Sequence, residues 1–244
     1  MLKLQGIHWN TPEGEEILKG IDLQVPEKKL TVITGPNGGG KTSLAKLIAG
    51  IYQPCAGSIV LNGEDITPLD VTQRARRGIA YAFQQPVRFK GLTVRDLLEL
   101  SAGETLDEAR LCGMLSTVGL CAQEYIDRSV DSSLSGGESK RIEIATVLYR
   151  RNAQLLVFDE PEAGIDLWSF SKLTEAFERL KAGGDRSIVI ISHQERIMEI
   201  ADCIAVVANG RVRTFGRRED ILPELLLGEK QSFCPIGDPR KEVC

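Results

Sequence analysis

The sequence predicts an α/β fold with a parallel sheet, and three observations lead to this prediction. The short β-branched run Leu30–Thr34 precedes a glycine-rich loop and then apolar residues at helical spacing. Residues 154–158 and 187–192 are continuous apolar runs, typical of strands that are buried on both faces of a parallel sheet. A helical pattern over residues 170–180 separates these two runs. Strands and helices that alternate in this way indicate the α/β class.

The glycine-rich loop has the pattern of a phosphate-binding loop, G-x-x-x-x-G-K-[ST], with Gly35, Gly40, Lys41 and Thr42 at its fixed positions. Glycines let backbone N–H groups surround an anion, and the N-terminus of the following helix adds partial positive charge. We expect Lys41 to contact the β- and γ-phosphates and the Thr42 hydroxyl to bind Mg²⁺. The alternative is a glycine-rich turn without a ligand. Because strand, loop and helix occur in the required order, the sequence predicts a nucleoside triphosphate site.

Two carboxylates, Asp159 and Glu160, end the apolar run that begins at residue 154. In a parallel α/β sheet, ligands bind at the carboxyl ends of the strands. The first carboxylate is suited to holding Mg²⁺ through water, and the second could polarise the water that attacks the γ-phosphorus. An isolated Asp-Glu pair would more often be a solvated strand end, but the preceding phosphate-binding loop favours the functional interpretation.

Two further features concern phosphate chemistry. Ser135 and Glu138 form the S-x-x-E pattern of a helix capping box, and the intervening Gly136 and Gly137 permit close approach of an anion. Both interpretations can hold together. His193 follows the apolar run that ends at residue 192, so it is expected at the ligand-binding edge as a donor to the γ-phosphate. A lone histidine is otherwise more often structural.

One large domain is predicted over residues 1–227, followed by a tail over residues 228–244. Alternating residues over 2–9 and an apolar segment over 17–25 predict an antiparallel start. Between about residues 86 and 133 the spacing becomes helical without a strand, which indicates an inserted helical lobe.

The composition limits the partners. Thirty basic and 34 acidic residues give a net charge of −4, which is no electrostatic footprint for nucleic acid. The N-terminus lacks the pattern of a signal peptide, and the apolar runs are too short to cross a bilayer. We therefore expect a cytoplasmic protein without direct membrane insertion. Six cysteines without a C-x-x-C pair are expected to be reduced thiols, and two of them, Cys234 and Cys244, lie in the tail.

Six elements in order resemble the ATP-binding cassette (ABC) ATPase family over about residues 1–220. They are the phosphate-binding loop at 35–42, Gln84 in the Q-loop, the signature at 134–138, the Walker B pair Asp159-Glu160, the D-loop at 163–166 and the switch histidine His193. The resemblance implies a P-loop NTPase of the ABC type, with a RecA-like core, an antiparallel β subdomain and an inserted helical lobe. It also implies ATP hydrolysis with ATP and Mg²⁺ as cofactors.

The resemblance assigns a role to each site residue. Glu160 becomes the general base, and Gln84 and His193 become sensors of Mg²⁺, water and the γ-phosphate. It assigns Mg²⁺ to Thr42, Gln84 and Asp159. It further implies an ATP-dependent head-to-tail homodimer, in which the phosphate-binding loop of one subunit and the signature of the other enclose each ATP. The implied nucleotide contacts are Gly35, Asn37, Gly38, Gly40, Lys41, Thr42, Ser43, Ser135, Gly136, Gly137 and Asp166.

Several residues depart from the pattern usual in transporter subunits and resemble the SufC group of iron–sulfur cluster assembly ATPases. They are Glu138 at the end of the signature, Glu162 after Walker B, FQ-x-PV at 83–87 and SGGE-x-KR at 135–141. This resemblance implies a SufB-like or SufB/SufD-like scaffold as partner, with residues of about 84–100 as the docking surface.

Two alternatives stand beside the SufC-like interpretation. The first is the nucleotide-binding subunit of an ABC membrane transporter, which has the same chemistry and a different partner. The second is a nucleotide-gated module that does not hydrolyse ATP, and Glu160 and His193 argue against it because a pure sensor needs neither.

Two residues carry further hypotheses from the resemblance. In SufC-like proteins a lysine after the signature can pair with the Walker B glutamate, so Lys140 is a candidate restraint on Glu160; the alternative is an ordinary solvated lysine. The family's usual adenine-stacking position is occupied here by Thr11 and Pro12, and Trp9 lies before that position.

Overall fold

The computed structural model describes residues 1–131 and 133–231, and the side chains among them up to residue 227. The strands form two sheets. A four-stranded antiparallel sheet has the order β2-β1-β4-β5, and a six-stranded sheet has the order β10-β9-β3-β8-β7-β6. The strands are β1 (Leu2–Asn10), β2 (Glu16–Val25), β3 (Leu30–Thr34), β4 (Ala56–Leu61), β5 (Glu64–Asp65), β6 (Ile79–Ala82), β7 (Leu155–Asp159), β8 (Ser187–Ile191), β9 (Cys203–Ala208) and β10 (Arg211–Arg217).

The helices cover both faces of the six-stranded sheet. They are α1 (Lys41–Ala49), α2 (Val71–Arg76), α3 (Val94–Ala102), α4 (Glu108–Thr117), α5 (Ala122–Tyr125), α6 (Gly136–Leu148), α7 (Leu167–Gly183), α8 (Glu195–Glu199) and α9 (Arg218–Gln231). One apolar core joins the antiparallel sheet and α1 to one face of the six-stranded sheet. A second core lies on the other face, with α3, α4, α6 and α7. This arrangement confirms the predicted α/β fold class.

The strands β3, β8 and β7 are parallel, fully buried and aligned at their carboxyl ends. Ile33 pairs with Ile191, and Ile191 pairs with Asp159. Beyond these pairs, the Ser192 N–H donates to the Ile33 carbonyl at 3.2 Å and the Glu160 N–H donates to the Ile191 carbonyl at 3.0 Å. The segments that carry the predicted phosphate chemistry therefore leave the sheet at the same edge.

The helical lobe predicted for residues of about 86–133 contains α3, α4 and α5, together with an isolated bridge between Thr93 and Ser129. The C-terminal end differs from its prediction. Helix α9 continues through Gln231, four residues beyond the predicted domain end at 227, because it starts directly after β10 and packs Ile221 into the second core. The remainder of the predicted tail, with Cys234 and Cys244, lies outside the described residues.

Arg74 of α2 is fully buried and supports the helix that follows the phosphate-binding loop. Its guanidinium donates to the carbonyls of Leu47 and Ile48, which end α1, and to those of Leu69 and Thr67. The last carbonyls of a helix have no partner within the helix, so an external donor is needed when the helix end is buried. Arg74 supplies it.

We predict that Arg74→Met lowers the free energy of unfolding by about 3 kcal/mol, because it removes four hydrogen bonds of a buried guanidinium, among them those to the Ile48 and Thr67 carbonyls. Urea unfolding followed by circular dichroism measures this change. Arg76→Met is the matched control, since Arg76 lies in the same helix and is exposed. Equal unfolding free energies of the two variants would contradict the proposed role of Arg74.

Candidate functional site

The phosphate-binding loop connects β3 to α1, and its backbone geometry requires glycine at two positions. Gly35 has φ of 129°, and a Cβ atom there would lie 2.1 Å from the Val207 carbonyl oxygen. Gly40, the N-cap of α1, has φ of 100°. A side chain at either position would be strained, because L-residues rarely adopt these angles. The loop thus keeps its backbone close to β9 and its N–H groups free of side-chain cover.

Lys41 begins α1 and folds back over the loop. Its ammonium donates to the carbonyls of Gly35 at 2.7 Å and Pro36 at 2.9 Å. Burial lowers the pKa of Lys41, whereas the charges of Glu160 and Asp159 raise it. The cation is therefore held on the loop, under the electrostatic influence of the carboxylates at the end of β7, which lies two strands from β3 in the sheet.

Asp159, at the end of β7, is fully buried and bonded through both oxygens. Oδ1 accepts from the Thr42 hydroxyl at 3.1 Å, and Oδ2 accepts from the Tyr81 hydroxyl at 2.9 Å. Burial raises the pKa of Asp159, and these two hydrogen bonds lower it. A carboxylate and a hydroxyl in contact are hard oxygen donors of the kind that Mg²⁺ prefers. The residues present therefore fit the predicted metal.

Glu160 has an unusual backbone conformation and a defined partner. Its φ of 45° is left-handed, which is uncommon for a residue other than glycine and is often found at functional sites. The Gln84 side-chain amide donates to Glu160 Oε2 at 2.7 Å. The predicted general base and the predicted Q-loop sensor are thus in direct contact.

A cavity of about 420 Å³ brings most of the predicted residues together. The predicted residues that line it are Asn37, Gly38, Gly40, Lys41, Thr42, Ser43, Gln84 and Glu160. Two predicted residues at the same sheet edge, Gly35 after β3 and Asp159 at the end of β7, do not belong to its lining. The predicted residues farther along the chain that also lie outside the lining are Ser135, Gly136, Gly137, Asp166 and His193.

The capping box predicted at the signature is confirmed. The Ser135 hydroxyl accepts from the Glu138 N–H at 3.2 Å, and Glu138 Oε2 accepts from the Ser135 N–H at 2.7 Å. Tyr125 of the helical lobe donates to Glu138 Oε1 at 2.6 Å. A Cβ atom on Gly137 would lie 2.8 Å from the Gly164 carbonyl oxygen, so the signature and the D-loop touch backbone to backbone.

Asp166, predicted as a nucleotide contact, is the N-cap of α7 in this structure. Its carboxylate accepts from the N–H groups of Trp168 at 3.1 Å and Ser169 at 3.0 Å and from the Ser169 hydroxyl at 2.6 Å. These bonds lower the pKa of Asp166. Within one chain, Asp166 is therefore a helix-capping residue.

Lys140 fits neither hypothesis made for it. It is fully buried, so it is not a solvated lysine, and its ammonium donates to the carbonyls of Phe83, Gln84 and Asp159. The Glu160 carboxylate is bonded to Gln84 instead. Burial lowers the pKa of Lys140. Its contacts tie α6 to the start of the Q-loop and to the end of β7.

Glu143 lies one helical turn after Lys140 and completes this attachment. Its Oε1 accepts from the Phe83 N–H at 3.0 Å, and its Oε2 is buried without a hydrogen-bond partner in the described structure. Burial raises the pKa of Glu143 to about 7, although the Phe83 N–H and Lys140 both lower it. Lys140 and Glu143 are three residues apart on α6 and therefore share one face of this helix.

Trp9 lines the same cavity as the phosphate-binding loop. It stacks on Tyr52 with ring centroids 4.4 Å apart and ring planes 7° apart, and Lys46 lies 5.3 Å above the Tyr52 ring. Its position before the usual adenine-stacking slot argued against such a role. Thr11, at the position that the family usually gives to the stacking residue, lines the same cavity as Trp9.

The chain is similar to known proteins. A family model described as ABC transporter matches residues 18–163. The chain is 38% identical over 229 residues to an uncharacterized ABC transporter ATP-binding protein of Methanocaldococcus jannaschii, which covers 91% of this chain and 90% of that protein. It is 33% identical over 210 residues to the sulfate/thiosulfate import ATP-binding protein CysA of Synechocystis. That alignment covers 84% of this chain and 57% of CysA.

Among solved structures, the fold is similar to a dimeric ATP-binding cassette bound to ADP and Pi in a post-hydrolysis state. The TM-score is 0.79 at 22% identity, with 89% of this chain and 99% of that chain covered. The chain therefore belongs to the ABC transporter family and is an ABC ATPase, as the resemblance predicted. The names of these relatives favour the transporter alternative, and none of them carries the name SufC.

Within residues 1–131 and 133–231, the structure contains no helix that is both long and apolar enough to span a bilayer.

The raised pKa of Glu143 predicts how stability depends on pH. The unfolded carboxyl titrates near 4.5 and the folded one near 7, so the folded state binds the proton more tightly and loses stability as pH rises between these values. Relative to Glu143→Gln, which does not titrate, the wild type should lose about 2 kcal/mol of unfolding free energy between pH 5.5 and 8.5.

Urea unfolding at the two pH values measures this difference. Glu178→Gln is the control, because Glu178 is exposed on α7. If Glu143→Gln and the wild type keep the same pH dependence, Glu143 does not titrate as described.

Proposed function

We propose that this ABC ATPase is the energy-supplying subunit of a larger assembly, in which Mg²⁺-dependent ATP hydrolysis drives a shape change in a separate partner chain. One observation carries the proposal. Lys41, Thr42, Asp159, Gln84 and Glu160 meet at one edge of the six-stranded sheet, beside a cavity of about 420 Å³.

The residues of this edge divide the chemistry among them. The loop N–H groups and Lys41 bind the phosphates. Thr42, Asp159 and Gln84 would hold Mg²⁺, which would neutralise charge on the transferring phosphoryl group. Glu160 accepts the proton of the attacking water. Its contact with Gln84 at 2.7 Å links the base to the Q-loop, so displacement of Gln84 changes the orientation of the base.

The signature supports a head-to-tail homodimer that forms with ATP. The signature residues Ser135, Gly136 and Gly137 lie at the start of α6, outside the cavity of their own chain. They are therefore available to contact the nucleotide that is bound by a second copy of the chain. A helix N-terminus with a glycine pair is suited to an anion. The solved cassette with the similar fold is described as dimeric and bound to ADP and Pi.

An apolar groove between the Q-loop and the helical lobe is the proposed docking surface for the partner. It has a volume of about 240 Å³ and combines Phe83 and Phe89 with Leu97 and Leu100. Phe89 and Leu100 are exposed, within the predicted docking range of 84–100. Exposed apolar residues that adjoin one groove indicate a protein-binding surface. The names of the relatives favour membrane subunits of a transporter as the occupant.

A soluble iron–sulfur scaffold of the SufB or SufB/SufD type is the second candidate partner. The supporting observation is that residues which depart from the transporter pattern belong to the site: Lys140 is fully buried against the Q-loop, and Glu162 bonds the residue before His193. With either partner, the predicted location of this chain is the cytoplasm.

Affinity purification of the tagged chain from its native cell under anaerobic conditions separates the two partners. Co-purification of an integral membrane protein with several spanning helices supports the transporter interpretation. A soluble β-rich protein that carries iron and sulfide supports the second candidate and overturns the first. The assignments at the ATP site are tested separately, as follows.

We predict that Glu160→Gln lowers kcat for ATP hydrolysis at least about 100-fold, because the amide cannot accept the proton of the attacking water. ATP affinity should be unchanged. With ATP and Mg²⁺, light scattering should record a doubled mass for this variant. Adding Ser135→Arg, which places bulk and charge in the proposed interface, should restore the monomer mass. A doubled mass that survives Ser135→Arg would contradict the head-to-tail arrangement.

We predict that Trp9→Ala raises the Kd for ATP about tenfold, because a base stacked on an aromatic ring is stabilised by about 1–3 kcal/mol. The chain has two tryptophans, so Trp168→Phe leaves Trp9 as the sole tryptophan, whose emission is selected by excitation at a wavelength that tyrosine barely absorbs. In that variant, ATP should quench the emission and inorganic tripolyphosphate should not. Equal quenching by both ligands would show that the phosphates, and not the base, reach Trp9.

A further inference from the structure

The carboxylate of Glu162 connects two segments that follow neighbouring strands. Its Oε1 accepts from the Ser192 hydroxyl at 2.6 Å, and the same hydroxyl oxygen accepts from the Gln194 N–H at 3.0 Å. The backbone N–H of His193 also acts on this carboxyl and lowers its pKa. One side chain thus holds Ser192, the residue before His193, and through the Ser192 hydroxyl also the backbone of Gln194, the residue after it.

Glu162 also belongs to the turn that carries the catalytic base. The Ala163 N–H donates to the Glu160 carbonyl at 3.1 Å, and the Ile165 N–H donates to the Glu162 carbonyl at 3.1 Å. These bonds define the backbone between Glu160 and the D-loop. Glu162 is therefore fixed to the base by its backbone and to the switch segment by its side chain.

Glu162 is half-buried, and one of its carboxylate oxygens is shielded from solvent. Its second oxygen, Oε2, is buried and has no hydrogen-bond partner among the described residues, and Ser192 is fully buried. Burial raises the pKa of Glu162, the Ser192 hydrogen bond lowers it, and the charge of Glu160 raises it further. A buried carboxylate oxygen without a hydrogen bond lowers the free energy of unfolding, which suggests that Glu162 has a role in the site.

We propose that Glu162 is a positioning residue for ATP hydrolysis, which sets the orientation of His193 relative to Glu160. The inference rests on the proposed role of His193 at the γ-phosphate. The side chain of His193 is exposed, and the backbone of residues 192–194 determines the point and angle at which this side chain leaves the chain. Because Glu162 fixes that backbone from the turn that bears Glu160, the sensor and the base keep one relative geometry.

The experiment removes the same hydrogen bond from both sides, with Glu162→Ala and with Ser192→Ala. Each variant should lower kcat about tenfold, because a displaced His193 stabilises the transition state less well. KM for ATP should be nearly unchanged. The double variant should be no slower than the slower single variant, since the two changes remove one interaction. Glu162→Gln retains an acceptor for Ser192 and should restore kcat.

Nuclear magnetic resonance provides a readout that does not depend on activity. The chain has two histidines, His8 and His193, so labelling the histidine Cε1 carbon gives two resonances that a His8→Gln variant assigns. Glu162→Ala and Ser192→Ala should shift the His193 resonance and leave that of His8, which is bonded to Glu16, in place. Glu178→Ala, on the exposed face of α7, should move neither.

The outcomes separate this inference from the proposed function. An unmoved His193 resonance in both variants, or a Glu162→Gln enzyme as slow as Glu162→Ala, would overturn the positioning role. If His193→Ala hydrolyses ATP at the wild-type rate, the proposed role of His193 fails, while the resonance shift still reports whether Glu162 positions it. Should Glu162→Ala not fold, Ser192→Ala and Glu162→Gln carry the test, because both keep the carboxylate or its shape.

Discussion

The parallel register of β3, β8 and β7 is the constraint on which the site depends. Ile33, Ile191 and Asp159 are aligned across these strands, so the three segments that follow them share one edge of the sheet. A shift of one residue in β7 would turn Asp159 to the opposite face, away from Thr42. The complete burial of these strands makes such a shift costly, since every apolar side chain would change its partners.

A second set of buried polar groups holds this edge in place. Lys140 donates to the carbonyls of Gln84 in the Q-loop and of Asp159 at the end of β7. Glu143 accepts from the Phe83 N–H, and Tyr81 donates to Asp159. Each of these bonds joins elements that are distant in sequence. The residues that touch nucleotide in the proposed function are therefore oriented by side chains that do not touch it, which is typical of functional sites on rigid scaffolds.

The sequence was sufficient where the chemistry is contiguous. The phosphate-binding loop, the Asp159-Glu160 pair and the Ser135–Glu138 capping box are each local patterns, because neighbouring residues make the bonds. It was insufficient where the bond is long-range. Tyr81 reaches Asp159 across 78 positions and Lys140 reaches the Q-loop across 56, so no spacing rule predicts them. The helical end of the chain was underestimated because residues 228–231 are polar, whereas α9 continues through them.

The contact between Gly137 and Gly164 has a mechanical consequence. The two backbones meet so closely that a single added carbon would collide with the Gly164 carbonyl, and neither partner has a side chain to bend or rotate. Closely packed protein segments have low compressibility, so a displacement of one segment is transmitted to the other. In the proposed dimer, Gly137 faces one nucleotide and Gly164 lies four residues after the base that serves the other. In that dimer, a displacement of the signature at one nucleotide would therefore move the D-loop beside the base that serves the other nucleotide.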